Sequence, residues 1–89
     1  MSSHDSDASA ATASLPVTPL SALGDGGLAQ VVDVVAEPDD AVRLKSLGIC
    51  VGRRVQLVKS GDPLIVRVLG ARVGLSARLA AGVVVRPLD

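Results

Sequence analysis

Alternating apolar and polar residues in the second half of the chain predict a series of short β-strands. Residues 54–57 read Arg-Val-Gln-Leu, so that side chains of the two kinds fall on opposite parities, as in a strand with one buried face. Val-rich sequence also favours the pleated, half-buried surface of a sheet. The same period of two recurs in three further runs, at residues 64–69, 72–75 and 83–86.

The first long apolar run, Leu28 to Ala36, departs from strict alternation. Its polar residues Gln30 and Asp33 fall on opposite parities, so a regular strand would bury one of them. One extra residue in the strand would place both outside. The run therefore predicts a β-bulge near Val31–Val32.

A helix is predicted between these strands. Pro38 suits the first helical position, where the missing N–H costs nothing, and Asp39 and Asp40 would lie near the positive end of the helix dipole. Gly48 is placed to end the helix with a left-handed backbone. Apolar residues that can share one face recur at every third position, at Ala41, Leu44 and Leu47.

Turn residues divide the remaining runs. Ser60 to Pro63 interrupts the strands, Gly70–Ala71 allows a tight reversal, and Ser76 can cap a single helical turn. The pattern as a whole predicts a mainly β fold, a small barrel of about five strands with one short helix at about 38–47 and a helical turn at about 76–81. Near-closure of such a barrel hides the edges of its sheet.

Chain length and composition set the domain organisation. Eighty-nine residues allow one domain. Residues 1–14 are rich in Ser, Ala and Asp, and such a sequence cannot bury enough apolar surface to offset the entropy of ordering. We therefore expect a disordered tail over residues 1–14 and a folded domain over residues 15–89.

The absence of Phe, Tyr and Trp excludes two kinds of binding site. A groove for proline-rich peptides needs aromatic walls, and a platform for single-stranded nucleic acid needs aromatic rings that stack bases. The net charge is zero, but residues 1–40 hold seven acids and no Lys or Arg, whereas residues 41–89 hold nine bases and two acids. This split leaves two interpretations, a mixed solvated surface or a basic contact face for a protein, and the overall balance argues against nucleic acid.

Three features indicate a cytoplasmic protein that is not inserted in a membrane. The single cysteine, Cys50, cannot form an intramolecular disulfide and fits a reducing compartment. No Lys or Arg precedes Arg43, which does not match the pattern of a secretory signal. The longest nearly apolar run, Leu79 to Val85, is far shorter than the roughly 20 residues that span a bilayer.

The order of these elements resembles the FeoA family. Residues 43–58, RLKSLGICVGRRVQLV, are similar to the family's core motif of a helix end, a Leu-Gly step, a second glycine and a Val-rich strand. Residues 61–87 continue the resemblance with a Gly-Asp-Pro turn, an alternating strand, a glycine reversal, a helical turn and a closing valine strand. Residues 20–32 resemble the segment that leads into the family's domain, so that the resemblance covers roughly residues 15–89.

The resemblance implies an SH3-like barrel, a fold shared with the C-terminal domain of diphtheria-toxin-repressor-type metal regulators. It also implies an accessory role in ferrous iron transport, with the G-domain side of a FeoB-like membrane Fe(II) transporter as the partner. Two alternatives stay open: an SH3-like interaction domain in metal-dependent transcriptional regulation, and a small nucleic-acid-binding barrel. Self-association through Val-rich edge strands also stays open.

The titratable residues do not converge as a catalytic site requires, so we expect neither an enzyme nor a cofactor. If Met1 is removed, the single histidine, His4, could join the amine of Ser2 and two backbone amides in a square-planar nitrogen site for Cu(II) or Ni(II) only. Glu37, Asp39 and Asp40 are weak candidates for a divalent ion, and their place at a helix start explains them better. Cys50 is interpreted as a buried inert thiol, with a redox or iron-sensing thiol as the alternative.

Basic and apolar residues of the helix end and of the outer strands are the candidate contacts with a partner. Arginines on adjacent strands could form a basic stripe that orients an acidic patch and speeds its association. The apolar residues near the helix end are core positions first, and one of them could surface beside its basic neighbours. The candidates are Arg43, Lys45, Leu47, Ile49, Arg54, Arg67 and Arg72.

Overall fold

Six antiparallel strands and two helices make up residues 16–88, the part of the chain that the computed structural model describes. The strands form one sheet in the order β1-β6-β2-β3-β4-β5, which confirms the prediction of a small, mainly β, SH3-like fold. The strands are β1 (Thr18–Pro19), β2 (Leu28–Val34), β3 (Arg54–Lys59), β4 (Leu64–Val68), β5 (Ala71–Leu75) and β6 (Val83–Pro87). The helices are α1 (Pro38–Ser46) and α2 (Ala77–Ala81), and a 3-10 turn covers Leu20–Ala22.

The core lies on the inner face of this sheet. Alternation along β3, β4 and β6 predicts which side chains point inward, and each of those side chains is at most 2% exposed. Burial of a valine or leucine contributes about 1.5–3 kcal/mol, so this face accounts for much of the stability of an aromatic-free core. The inward side chains of β3, β4 and β6 are Val55, Leu57, Leu64, Val66, Val68, Val83 and Val85.

The predicted bulge in β2 is confirmed. Val31 pairs with Val85 of β6, and Asp33 pairs with the next residue, Val84, so Val32 is the extra residue. Its insertion keeps Val31 buried and leaves Asp33 exposed, as the parity conflict in the sequence predicts. The strand ends two residues earlier than predicted, because the chain beyond Val34 turns toward α1.

The end of α1 also follows the prediction. Gly48 has a φ of 90°, and its N–H donates to the carbonyl of Lys45 at 2.9 Å. The N–H of Ile49 donates to the carbonyl of Leu44 at 2.9 Å, and both of these side chains lie in the core. This is the Schellman arrangement, in which a left-handed glycine satisfies the last helical carbonyls. The helix ends one residue before its predicted end, with Leu47 as its C-cap.

The reversal between β4 and β5 lies one residue earlier than predicted. Its two turn residues are Leu69 and Gly70, with φ of 54° and 79°, rather than Gly70 and Ala71. Positive φ at both central residues defines the type I′ turn, whose twist matches that of the flanking strands. Sequence reasoning missed this because leucine rarely adopts positive φ. The shift sets the register of the hairpin and places Arg67 opposite Arg72.

Polar contacts hold α2 in place. The hydroxyl of Ser76 accepts a hydrogen bond from the N–H of Leu79 at 3.2 Å, which confirms the predicted cap. The guanidinium of Arg78 donates to both carboxylate oxygens of Asp40 in α1, at 2.8 and 3.4 Å. This ion pair joins the two helices.

Candidate docking surface

Three arginines share the outer face of the sheet. Arg54, Arg67 and Arg72 lie on the adjacent strands β3, β4 and β5, and all three are exposed. Arg67 is directly opposite Arg72 on β5 and opposite Gln56 on β3, and Arg54 precedes Gln56 by two residues on the same side of its strand. These three arginines, called the basic face below, occupy the stripe that the sequence predicts.

The basic face carries uncompensated charge within the described structure. Like charges directly opposite each other on two strands are unfavourable, by up to about 1 kcal/mol relative to a neutral pair. Among residues 16–88 the one ion pair formed is Arg78–Asp40, so no described carboxylate neutralises Arg67 or Arg72. A cost of this kind is relieved when an acidic surface approaches the face.

An apolar protrusion lies beside the basic face. Val51 and Leu69, called the apolar tip below, are 64% and 66% exposed. They line a shallow cleft of about 510 Å³ together with Cys50, Arg53 and Arg54. An apolar centre with a charged rim is the usual anatomy of a protein–protein contact.

Leu69 of the apolar tip has a left-handed backbone conformation. A left-handed conformation costs a non-glycine residue roughly 1–2 kcal/mol, yet this leucine side chain is mostly exposed. Its Cδ1 packs over Gly48, where it lies 2.9 Å from the position that a Cβ would occupy. Gly48 therefore both ends α1 and leaves the space into which the Leu69 side chain packs.

The helix residues that the sequence nominates as contacts divide between surface and core. Arg43 and Lys45 are exposed on α1, and Lys45 borders an apolar groove of about 260 Å³ that Val51 also lines. Leu47 is half-buried against the core. Ile49 is 1% exposed, so the docking surface proposed below leaves it out.

Sequence reasoning did not select the apolar tip. A signal for Leu69 exists, because the alternation of β4 places this residue on the outward parity together with Arg67. No comparable signal marks Val51, which stands in a short apolar step between Cys50 and Gly52. Its exposure follows from the turn that Gly52 makes with a φ of 92°.

Cys50 is half-buried rather than buried. Its Sγ lies 3.9 Å from the carbonyl oxygen of Gly48 and 3.9 Å from Nη2 of Arg53. Nε of Arg53 donates to the same Gly48 carbonyl at 3.2 Å. The thiol and the guanidinium thus brace the loop that carries the apolar tip.

The three carboxylates at the start of α1 have different surroundings in the structure. The hydrogen bond from Arg78 holds the pKa of Asp40 below its ordinary value of 3.8, whereas Glu37 and Asp39 are exposed. Over residues 16–88 no group of three or more His, Cys, Asp or Glu is placed to hold a metal ion. His4 lies outside the described residues, so the nitrogen site predicted for it stays a prediction.

Neither helix of the described segment has the length and hydropathy needed to cross a membrane.

Comparison with known proteins gives a family match. A family model for the FeoA domain matches residues 18–87. Comparison with curated protein sequences gives no significant match.

Solved structures of similar fold include iron uptake proteins. The crystal structure of an iron uptake regulatory protein (FeoA) superimposes with a TM-score of 0.78 at 35% identity, covering 83% of this chain and 100% of that one. A FeoA from Stenotrophomonas maltophilia, solved with zinc, has a TM-score of 0.67 at 37% identity, covering 74% of this chain and 86% of that one. That protein is described as a prokaryotic SH3 domain protein and a candidate activating factor of bacterial ferrous iron transport.

The similarity extends to a regulator. A manganese-dependent transcriptional repressor has a TM-score of 0.77 at 25% identity, covering 82% of this chain and 42% of that one.

Proposed function

Because the chain belongs to the FeoA domain family, we propose that it acts in ferrous iron transport as a non-catalytic accessory protein on the cytoplasmic side of the membrane. In this role it docks on a FeoB-like Fe(II) transporter and modulates it. The family match and the likeness to solved FeoA proteins support the role in iron transport. The docking itself is supported by the surface that the basic face and the apolar tip form.

The observation that carries the proposal is the position of the apolar tip beside the basic face. Leu69 lies in the turn between the strands that bear Arg67 and Arg72, so one hairpin presents an exposed leucine between two arginines that no carboxylate of residues 16–88 neutralises. An acidic partner would gain orientation and association rate from the arginines. Burial of the leucine would then contribute about 25 cal/mol for each Å² of apolar area removed from water.

The test of docking is the substitution Leu69→Asn. Asparagine tolerates positive φ, and Asn-Gly is a preferred type I′ turn, so the hairpin should keep its structure and its stability. We expect binding to the full-length transporter in nanodiscs, measured with GTP and with GDP, to weaken at least about tenfold, the equivalent of 1.4 kcal/mol. Unchanged affinity of a folded Leu69→Asn protein would exclude Leu69 as a contact with the transporter.

A charge reversal with a matched control tests the basic face. Arg67→Glu and Lys59→Glu change the net charge equally, but Lys59 lies at the end of β3 remote from the Leu69–Gly70 turn. We expect Arg67→Glu to slow association at low salt and Lys59→Glu to have a smaller effect, because the interaction depends on local complementarity. Equal effects of the two substitutions would show that association depends on the net charge of the protein and not on the basic face. Failure of the unsubstituted chain to bind the transporter would overturn the proposed function.

A second candidate function follows from the likeness to the manganese-dependent repressor. In this alternative the chain is an interaction domain in metal-dependent transcriptional regulation and works beside a DNA-binding partner. Purification from cells grown with and without iron distinguishes the two, since recovery of a DNA-binding protein in place of the transporter would favour the alternative.

A further inference from the structure

The outer edge of β5 has backbone groups that no described residue pairs. β5 ends the strand order and pairs with β4 alone within residues 16–88. In an antiparallel hairpin closed by a two-residue turn, alternate residues starting from the turn exchange hydrogen bonds with the partner strand. Ala71, Val73 and Leu75 therefore bond to β4, and the N–H and C=O groups of Arg72 and Gly74 point away from the sheet.

Gly74 is the residue on this edge that the fold does not explain. The register of β4 with β5 is continuous through it, so it makes no bulge, and its φ lies outside the left-handed region. A Cβ at this position would meet Pro63 at an ordinary distance of 3.9 Å. Glycine in a strand costs stability relative to residues with side chains, and in the absence of a bulge or crowding it is typical of a site that a ligand or another backbone approaches closely.

The side chains along the edge specify what that backbone carries. Arg72 and, one strand inward, Arg67 face the outer side, where an added strand would place acidic side chains next to them. Val73 is half-buried and Leu75 is buried on the inner side, where an added strand would place apolar side chains. We propose that the edge of β5 binds an extended segment of a partner protein in which acidic and apolar residues alternate, as an added strand of the sheet.

A second copy of this chain fits the edge less well. Two β5 strands paired antiparallel about Val73 would place Arg72 of each copy diagonally across from the other on one face, flanked by both Arg67 side chains. Four arginines would then share one surface patch, and like charges across strands are unfavourable. The charge therefore selects an acidic partner over self-pairing.

This inference goes beyond docking through side chains, because it concerns the backbone of one edge and holds for any partner that carries such a segment. Its test uses peptides in place of the transporter, so that its failure is distinguishable from failure of the proposed function. The probes are two capped seven-residue peptides, one alternating valine with glutamate and one alternating valine with lysine. Each is titrated into the full ¹⁵N-labelled chain.

We expect the Val-Glu peptide to shift the amide resonances of β5 and to slow hydrogen exchange at Arg72 and Gly74, and the Val-Lys peptide to do neither. Gly74→Pro removes the N–H that faces the edge and places a ring in the path of an added strand, which an edge position tolerates in the fold. It should weaken Val-Glu binding at least about tenfold. Gly74→Ala keeps the N–H and meets only ordinary contacts in the fold, so it should keep the fold and should weaken binding less than Gly74→Pro does.

Three results would overturn the proposal. The first is no binding of the Val-Glu peptide at millimolar concentration, and the second is equal binding of both peptides or shifts that map away from β5. The third is a free chain that is dimeric with Arg72 and Gly74 already protected, which would assign the edge to self-pairing. If Gly74→Pro does not fold, Arg72→Glu replaces it and should reverse the preference between the two peptides.

Discussion

At the scale of single residues, Gly48 meets two demands at once. Its φ of 90° ends α1, and the absence of a Cβ leaves room for Leu69 Cδ1. Gly52 has nearly the same φ, 92°, but nothing lies within 4 Å of the position of its missing Cβ. Substitutions at these two glycines therefore distinguish the effect of backbone strain from the effect of packing.

We expect Gly48→Ala to destabilise the fold more than Gly52→Ala. Each substitution forces alanine into a left-handed conformation at a cost of about 1–2 kcal/mol, and Gly48→Ala adds overpacking against Leu69 of about 1 kcal/mol or more. Urea unfolding of both variants measures the difference. Leu69→Ala combined with Gly48→Ala should recover the packing part, and a double variant that is no more stable than Gly48→Ala would show that the contact with Leu69 is not the cause.

At the scale of elements, the two helices are tied together by a single ion pair. The side chain of Asp40 is 17% exposed and that of Arg78 is 69% exposed. The hydrogen bond from Arg78, followed by the attraction of its charge, lowers the pKa of Asp40. A carboxyl with a lowered pKa stabilises the folded state in its ionised form and loses that contribution on protonation.

The stability of the fold should therefore depend on pH through Asp40. Its contribution is fully present above the unfolded value of 3.8 and disappears as the pH falls through the lower folded value. We expect Asp40→Asn to lower the melting temperature at pH 7, and we expect its difference from the unsubstituted protein to shrink progressively as the pH falls below 3.8. Asp39→Asn, one residue earlier in α1, is the control, and an equal pH-dependent difference for that variant would argue against the ion pair.

Local patterns predict the elements well because the cause of each lies in a few neighbouring residues. The parity conflict between Gln30 and Asp33 predicts the bulge at Val32, and the helical period before Gly48 predicts that this glycine ends α1 with a left-handed backbone. The pairing of Thr18–Pro19 with β6 depends on residues far apart in sequence, and no local pattern signals it. The turn at Leu69 was placed one residue late because the conformation contradicts the preference of leucine, and this residue belongs to the proposed docking surface.

At the scale of the whole molecule, a net charge of zero conceals an uneven distribution. The acids among the described residues lie mostly before residue 41, whereas the outer face of β3, β4 and β5 carries arginines with no described counter-charge. Repulsion among these arginines destabilises the free protein, and an acidic partner that relieves this repulsion gains binding free energy. Stability of the isolated chain and affinity for an acidic partner should therefore oppose each other at this face.

We expect Arg72→Glu to show this opposition directly. A glutamate opposite Arg67 replaces a repulsive cross-strand pair with an attractive one, which should raise the free energy of unfolding by up to about 1 kcal/mol. The same variant should bind the transporter less tightly than the unsubstituted chain. Arg72→Gln removes the repulsion without adding an attraction, so its stability should fall between the two. A variant that loses stability, or gains both stability and affinity, would contradict the opposition.

The pairing of β1 with β6 has a consequence for how the fold can be combined with other polypeptides. Thr18 lies beside Val85 and Pro19 beside Val84, with the strands antiparallel, so the chain enters and leaves the sheet at the same end. A domain of this kind can be fused to a neighbour through one attachment region, or inserted into a loop of a host, without stretching either protein. Fusion or insertion should leave the sheet intact, because β1 and β6 pair with each other beside the point of attachment.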